Sequence, residues 1–437
     1  MTGRRLQRGV CERVPRWYGH LWVVVRMSES LGDLYDPLGV HLDDPYPFYA
    51  QARRATRIFF SPTLDAWVLT RLADVRSVLR DDETYSSANA LRPFSALSSA
   101  VGAELAKGYP PAAFYIAEDG EEHRRLRAPS AAGFSPERVN AAEPYITERA
   151  ADLVDEFAKA GHTDFMASYA NRLPVEVICH LVGFPPEQSA AIGDDSRRAA
   201  SLGMGHRFQN EEEQLEAARS WVRFQRAIAR QVAARRAAPS DDLISDLIAA
   251  HAPGGGPLTA RQEQILVGLV FSVTLPGHIT TSALLGNGLL RLLSQREQWR
   301  LLCQRPDLVP NAVEEIARYD TPTHIFLRVT TKETELAGQR LPAGTEVAVW
   351  LAAANRDETA FDRAEEFDIT RPAQGQHVVF GHGAHYCLGA GLARRQVEIS
   401  LRVLTQRLPD LRLAPDQQIS FRPTLDHRGP LALQVEW

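Results

Sequence analysis

The chain has 437 residues, 44 % hydrophobic and 24 % charged, a composition that supports a packed core and excludes general disorder. A formal net charge of −5 supplies no overall attraction for nucleic acid or an anionic membrane, so neither is an expected partner. The four cysteines, Cys11, Cys179, Cys303 and Cys387, are far apart and follow no paired spacing, which argues against a disulfide framework and a structural zinc site and for reduced thiols in a cytoplasmic protein.

Residues 1–26 differ from the rest, with Arg4, Arg5, Arg8, Arg13, Arg16 and Arg26 around the apolar run WYGHLWVVV. That run is too short for the ~20 residues that span a bilayer, and no small-residue cleavage site precedes Met27. The segment is expected to be a basic, disordered extension or an over-long start, followed by a single domain over 27–437. From there the pattern predicts a hairpin over Thr56–Arg71 and a helix over LADVRSVLRD. Amphipathic helices are predicted over Pro144–Ala160, Glu211–Arg236, Thr259–Leu293 and Leu388–Leu408, and strands over HIFLRVTT, TEVAVWLAAA and LALQVEW. HAPGGGPLT (His251–Thr259) is the one strong break. Without repeats or strand–helix alternation, the reading is a mainly α, α+β domain and not a doubly wound sheet.

HVVFGHGAHYCLGAGLARR (His377–Arg395) carries the chemistry. A dinucleotide loop fails on spacing, because Tyr386 stands where the third glycine after Gly381 and Gly383 belongs. Zinc fails because His382, His385 and Cys387 have no fourth ligand at usable spacing. A haem iron held by the Cys387 thiolate accounts for more: the helix that follows offers backbone N–H groups and a favourable dipole to the sulfur. Gly381, Gly383 and Gly389 would let the backbone fold beneath a flat macrocycle, and Phe380 would pack near the sulfur. Phe380 to Gly389 meets, at every position, the cysteine-ligand pattern Phe-Gly-any-Gly-any-(Arg or His)-any-Cys-any-Gly. The stretch resembles that loop of the cytochrome P-450 family.

The resemblance runs over nearly all of Met27 to Trp437 and implies the family fold: a large helical region, a smaller β-rich region, and haem b between a long central helix and the cysteine loop. EEIAR places Glu315 and Arg318 three apart, similar to the family's structural ion pair. The following stretch resembles the family's meander, in which Arg356 or Arg371 would complete the network. HRRLR, with His123 and Arg127 on one helical face, resembles a propionate clamp to which Arg328 and His385 would add, giving four cations around two carboxylates. In the central helix, Gly277, Thr280 and Thr281 are in register with the family's oxygen-activating segment, the glycine opening a groove and the alcohol guiding protons. Ile279 stands at the family's acidic position and Pro276 just before the glycine, where a kink or widened turn is expected because proline clashes with the Ser272 carbonyl.

The activity implied is insertion of one oxygen atom from dioxygen into a medium-sized, largely apolar organic molecule, in secondary metabolism. Water, the substrate or His278 would relay the proton that no carboxylate supplies. The missing acid keeps open a peroxide-driven oxidation, coupling or rearrangement, and a non-catalytic recruitment role also stays open. Val273, Ile279, Ile325, Phe326 and Leu425 are the candidate substrate contacts, although Ile279 and Phe326 read equally as core; a substrate tethered to a carrier protein is compatible. With no flavin or iron–sulfur motif in the chain, electrons would come from a ferredoxin or flavodoxin with its reductase, docking at Arg124, Arg125, Arg394 and Arg395 on a monomer.

Overall fold

A computed structural model of the protein describes residues 30–437 except 95, 112, 204 and 373–375; the basic extension lies outside the described residues. The architecture is built around one helix, Ala260–Ser294, 35 residues long. Its start is set by a capping box: the Thr259 side chain accepts from the Gln262 N–H while the Gln262 side chain accepts from the Thr259 N–H. The helix is long and apolar enough to cross a membrane, but most of its apolar window is buried inside the fold, as befits a core helix. Around it pack the helices Leu173–Val182, Ser189–Ala200, Glu211–Ala237, Val309–Tyr319 and Ala390–Arg407.

One of those contacts depends on a glycine. A Cβ on Gly277 would come within 2.9 Å of Ile178, so its bare backbone lets the Leu173–Val182 helix approach the central helix closely. Pro276, one residue earlier, was expected to kink or widen the turn, yet the α-helix runs through it without a break. Its ring lies on the exposed side of the helix, and the Thr280 hydroxyl donates to its carbonyl at 3.1 Å. Packing along both halves outweighs the roughly 3 kcal/mol proline penalty.

The β-rich region is a five-stranded mixed sheet in the order Ile58–Ser61, Ala66–Leu69, Glu346–Trp350, Ile325–Thr330, Tyr85–Ser86. Alternation along Ile325–Thr330 sends Ile325 and Leu327 into a core with Tyr49 and Trp350 and leaves Phe326 and Arg328 for the other face. The predicted strand TEVAVWLAAA ends at Trp350, and Leu351–Ala354 forms a helical turn, in keeping with the helix propensity of its alanines. The helix expected from Pro144 begins at Pro136 instead, capped by Ser135, with Pro144 in its interior. At the C-terminus, residues 420–431 fold back as a hairpin through Leu431 N–H to Ser420 O (2.9 Å) and Arg422 N–H to Gly429 O (3.1 Å). It sits on the central helix, where a Cβ on Gly429 would meet Ala283 at 2.7 Å.

Two histidines enclosed in this core are held neutral. Burial, with Arg197 next in effect, pushes His278 down to about 3, and burial with Arg428 does the same to His324. Their unfolded counterparts titrate near 6.5, so between about pH 6.5 and pH 3 the unfolded chain binds more protons and stability rises with pH. The contribution is complete above pH 6.5 and is lost as pH falls toward 3, at about 1.4 kcal/mol per pH unit per histidine. Denaturant melts across pH 4–8 should show this slope, and His278→Gln should reduce it by one histidine's share.

Candidate active site

The cysteine loop folds back on itself before the helix Ala390–Arg407 begins. The Cys387 N–H donates to the Phe380 carbonyl at 2.8 Å, and Gly381 and Gly383 take left-handed φ values of +74° and +72°. At Gly383 the need is twofold, because a Cβ there would also collide with the backbone of Leu79 and Arg80. Gly389 caps the helix, and a Cβ on it would lie 3.9 Å from the Cys387 sulfur, so its absence leaves the space beside the sulfur clear. Cys387 is reachable by water, yet enough protein surrounds the sulfur for burial to push its thiol up, against the Gly389 N–H, Arg127 and Arg394, which favour the thiolate. Both are true of a residue on the inner wall of a cleft. Cys179, by contrast, is sealed in the core and pushed up to about 12.

Phe380 is buried with its ring under the Arg394 guanidinium, 4.2 Å from centroid to Cζ. Phe326 lies against the loop, its ring 3.6 Å from where a Gly381 Cβ would stand.

The expected clamp residues converge from three elements. The His123 and His385 rings lie with centroids 4.1 Å apart at a tilt of 34°, and Arg127 donates to the Tyr386 carbonyl beside the cysteine. His123 is 2 % exposed and neither ring nitrogen has a partner among the described residues. Arg328 is buried with only the Leu327 carbonyl as acceptor (2.7 Å), and burial pushes it down to about 10. Unmatched donors of this kind suit a ligand bearing carboxylates. Burial lowers both imidazoles, His385 to about 3 with Arg328 next in effect, so in the chain by itself Arg127 and Arg328 are the standing charges of the cluster. Ser87 and Asp119, unnoticed in the sequence, hold His385 in place at 3.0 and 3.7 Å.

In the middle of the central helix, Pro276, Gly277 and Thr280, with Ser272 and Leu275, are the positions that water reaches. Thr281, Val273 and Ile279 are buried; Ile279 packs on Ala200 and Leu275. Ile325 is in the sheet core, and Leu425 meets Phe94 where Gly205 leaves room. His278 is turned toward the Ser189–Ala200 helix, its Nε2 2.6 Å from Ser196 Oγ.

Behind the cysteine loop, Glu315 and Arg318 form a two-pronged pair at 2.8 and 2.8 Å, both 2 % exposed. Arg371 completes it at 3.1 Å from Glu315, whereas Arg356 lies between the Tyr46 and Tyr319 rings and pairs with Glu365. Arg318 also donates to the carbonyls of Asn355, Ala364 and Glu366, and the Asn355 side chain accepts the Val378 N–H at 2.7 Å. Glu314, the unexamined neighbour in EEIAR, reaches His377 (2.9 Å) and Arg394 (2.6 Å). Burial opposes its charge, but those two partners pull it down to about 2.

The cytochrome P-450 family model matches residues 224–427. The mycinamicin IV hydroxylase/epoxidase of Micromonospora griseorubida is 34 % identical, over 85 % of this chain and 90 % of that protein. The vitamin D(3) 25-hydroxylase of Pseudonocardia autotrophica is 33 % identical, over 86 % of this chain and 89 % of that one. The chain belongs to the cytochrome P-450 family. Its fold agrees: cytochrome P-450 CREJ, solved in complex with (4-ethylphenyl) dihydrogen phosphate, superposes with a TM-score of 0.87 at 31 % identity, covering 93 % of this chain and all of that one. As a cytochrome P-450 it is a haem-thiolate monooxygenase, and the cleft fits that cofactor through a reachable cysteine, a glycine-cleared loop and unmatched buried donors.

The pair behind the loop gives a direct test. Glu315→Gln leaves Arg318 buried without its counter-charge and should cost about 3–5 kcal/mol. Arg371→Ala, at the rim of the same network, should cost less. Urea unfolding of both variants, with haem content measured in parallel, checks the order.

Proposed function

We propose that this cytochrome P-450 uses Cys387 as the axial ligand of its haem and inserts one oxygen atom into a medium-sized, largely apolar organic molecule of secondary metabolism. The observation that carries the assignment is Cys387 itself, the water-reachable thiol on an inner wall, with its N–H tied to Phe380 and its sulfur beside Gly389. When bound, thiolate-ligated haem supplies dioxygen activation, with electron donation from sulfur favouring O–O cleavage. His123, Arg127, Arg328 and His385 hold the propionates, and Phe380 shields the sulfur side. The Thr280 hydroxyl, resting on the Pro276 carbonyl at 3.1 Å, is free to turn and pass a proton on the open strip of the helix. His278 faces away, so water or the substrate delivers that proton. Gly277, whose missing Cβ accommodates Ile178, contributes its backbone.

Electrons come from a separate ferredoxin or flavodoxin with its reductase. The docking patch is narrower than the sequence suggests. Arg394 is tied to Glu314, Arg395 to Glu143 and Glu398, and Arg125 to Glu122, while Arg124 is exposed and without an ion pair among the described residues. We place the enzyme in the cytoplasm as a monomer, consistent with free Cys179, Cys303 and Cys387 among the described residues and with the buried central helix.

The reduced carbon monoxide complex should show the strongly red-shifted Soret band of a thiolate ligand, and Cys387→Ala should lose it; retention of the band would refute the ligand assignment. For proton delivery, Thr280→Ala should divert NAD(P)H consumption to peroxide. Ile279→Glu should not improve coupling, because it would bury a carboxylate beneath Ala200.

A further inference from the structure

The C-terminal hairpin carries two arginines that meet opposite fates. Arg428 stacks on Phe421 with Cζ 3.4 Å from the ring centroid, donates to the carbonyls of Leu42 and Asp43, and lies 3.5 Å from Asp320. Arg422, six residues earlier, makes no side-chain hydrogen bond and no ion pair among the described residues. It is only half-buried by water access, yet protein surrounds it so closely that burial lowers its pKa, and Arg197, the other charge felt there, lowers it further. Its position is set by the hairpin's seat on the central helix, where it bears on His278, the residue between Gly277 and Ile279.

Among the described residues, no carboxylate pairs with it. The hairpin is seated on the central helix through Gly429 and Ala283, and its tip meets the region after the Ser189–Ala200 helix, where the Arg207 N–H donates to the Pro423 carbonyl at 3.3 Å. The central helix offers His278, neutral and with Nδ1 unpartnered, and Ser282, whose buried hydroxyl has no partner. The Ser189–Ala200 helix offers Arg197, whose Nη2 holds Asp194 at 2.6 Å while Nη1 is buried without a partner. Asp194 is itself largely exposed, and Asp195 is held by Arg223. A guanidinium cannot discharge by losing its proton at any ordinary pH, so its charge here is met from outside the chain, by water or by an anionic ligand that displaces it. Its planar fork matches a carboxylate or phosphate in two parallel hydrogen bonds.

Resting on the monooxygenase reading above, we infer that Arg422, supported by Arg197, anchors an anionic group of the substrate, a carboxylate or a phosphate monoester. The remainder of the molecule is apolar and extends from that anchor past Leu425 toward Thr280. The anion fixes which carbon is presented, because it sets the distance from the anchor to the reacting position.

The test uses the holoenzyme and optical titration of the haem spin state with matched probes: dodecanoate, dodecyl phosphate and methyl dodecanoate, and 4-butylbenzoate with its methyl ester. Wild type should bind at least one anion tenfold or more tightly than its neutral partner, and the tighter of dodecanoate and dodecyl phosphate assigns the group. Arg422→Gln should abolish the preference, and Arg422→Lys should keep part of it. Equal affinity of acids and esters in wild type, the absence of any anion-specific shift in either series, or an unchanged preference in Arg422→Gln overturns the proposal. The carbon monoxide spectrum and 4-phenylimidazole binding of the same samples report the haem reading separately, and both should be unaltered in Arg422→Gln. The thermal midpoint of ligand-free Arg422→Gln should equal or exceed that of wild type, since an uncompensated charge is removed; a marked fall would show that Arg422 is structural and would also overturn it.

Discussion

Everything around the cysteine loop depends on one buried charge pair. Glu315 and Arg318 are both 2 % exposed, and such a pair is stable only if every remaining donor and acceptor is satisfied. They meet that condition by spending the guanidinium on the carbonyls of Asn355, Ala364 and Glu366 and the carboxylate on Arg371 and the Asp368 N–H. The irregular segment that follows Leu351–Ala354 is thereby given a fixed path without regular secondary structure. Asn355 transmits the constraint, since its side chain holds Val378 at the entrance to the cysteine loop and Thr321 at the end of the Val309–Tyr319 helix. Glu314 adds a second strut from the same helix to His377 and Arg394.

The parts legible in the sequence were those written locally. The cysteine loop, the Glu315–Arg318 spacing and the capping box at Thr259 each lie within a few residues, so their chemistry can be read from neighbours in the chain. What was not legible depends on pairing across long separations. Arg356 and Arg371 are equivalent candidates in one dimension, and the sandwich of Arg356 between Tyr46 and Tyr319 is a tertiary fact. Asp119 looks like an ordinary helix-start acid until Ser87 and His385 are brought to it. Period alone also could not say that Pro276 sits in an unbroken helix, or that Gly277 exists in part to admit Ile178.

The two sides of the cleft follow different electrostatic rules. Beside Cys387, cations are balanced by Asp119 and by carbonyls, and the imidazoles remain uncharged. Across the cleft, Ile279 packs on Ala200 and Leu275, and its neighbour His278 is held neutral by burial first and then by Arg197 and Arg422.

The contact at Gly383 reaches furthest through the chain. Its left-handed backbone fits against Leu79 and Arg80, and Arg80 lies 3.1 Å from His382, a pairing that spans 302 residues. The first wall of the pocket is therefore synthesised early and must wait for nearly all of the remaining chain before its counterpart leaves the ribosome. Until then the partly finished sheet exposes edges that only the returning C-terminal segments cover. The pocket wall is thus closed by its two ends in sequence, and it is complete only when the last fifth of the chain has joined the first.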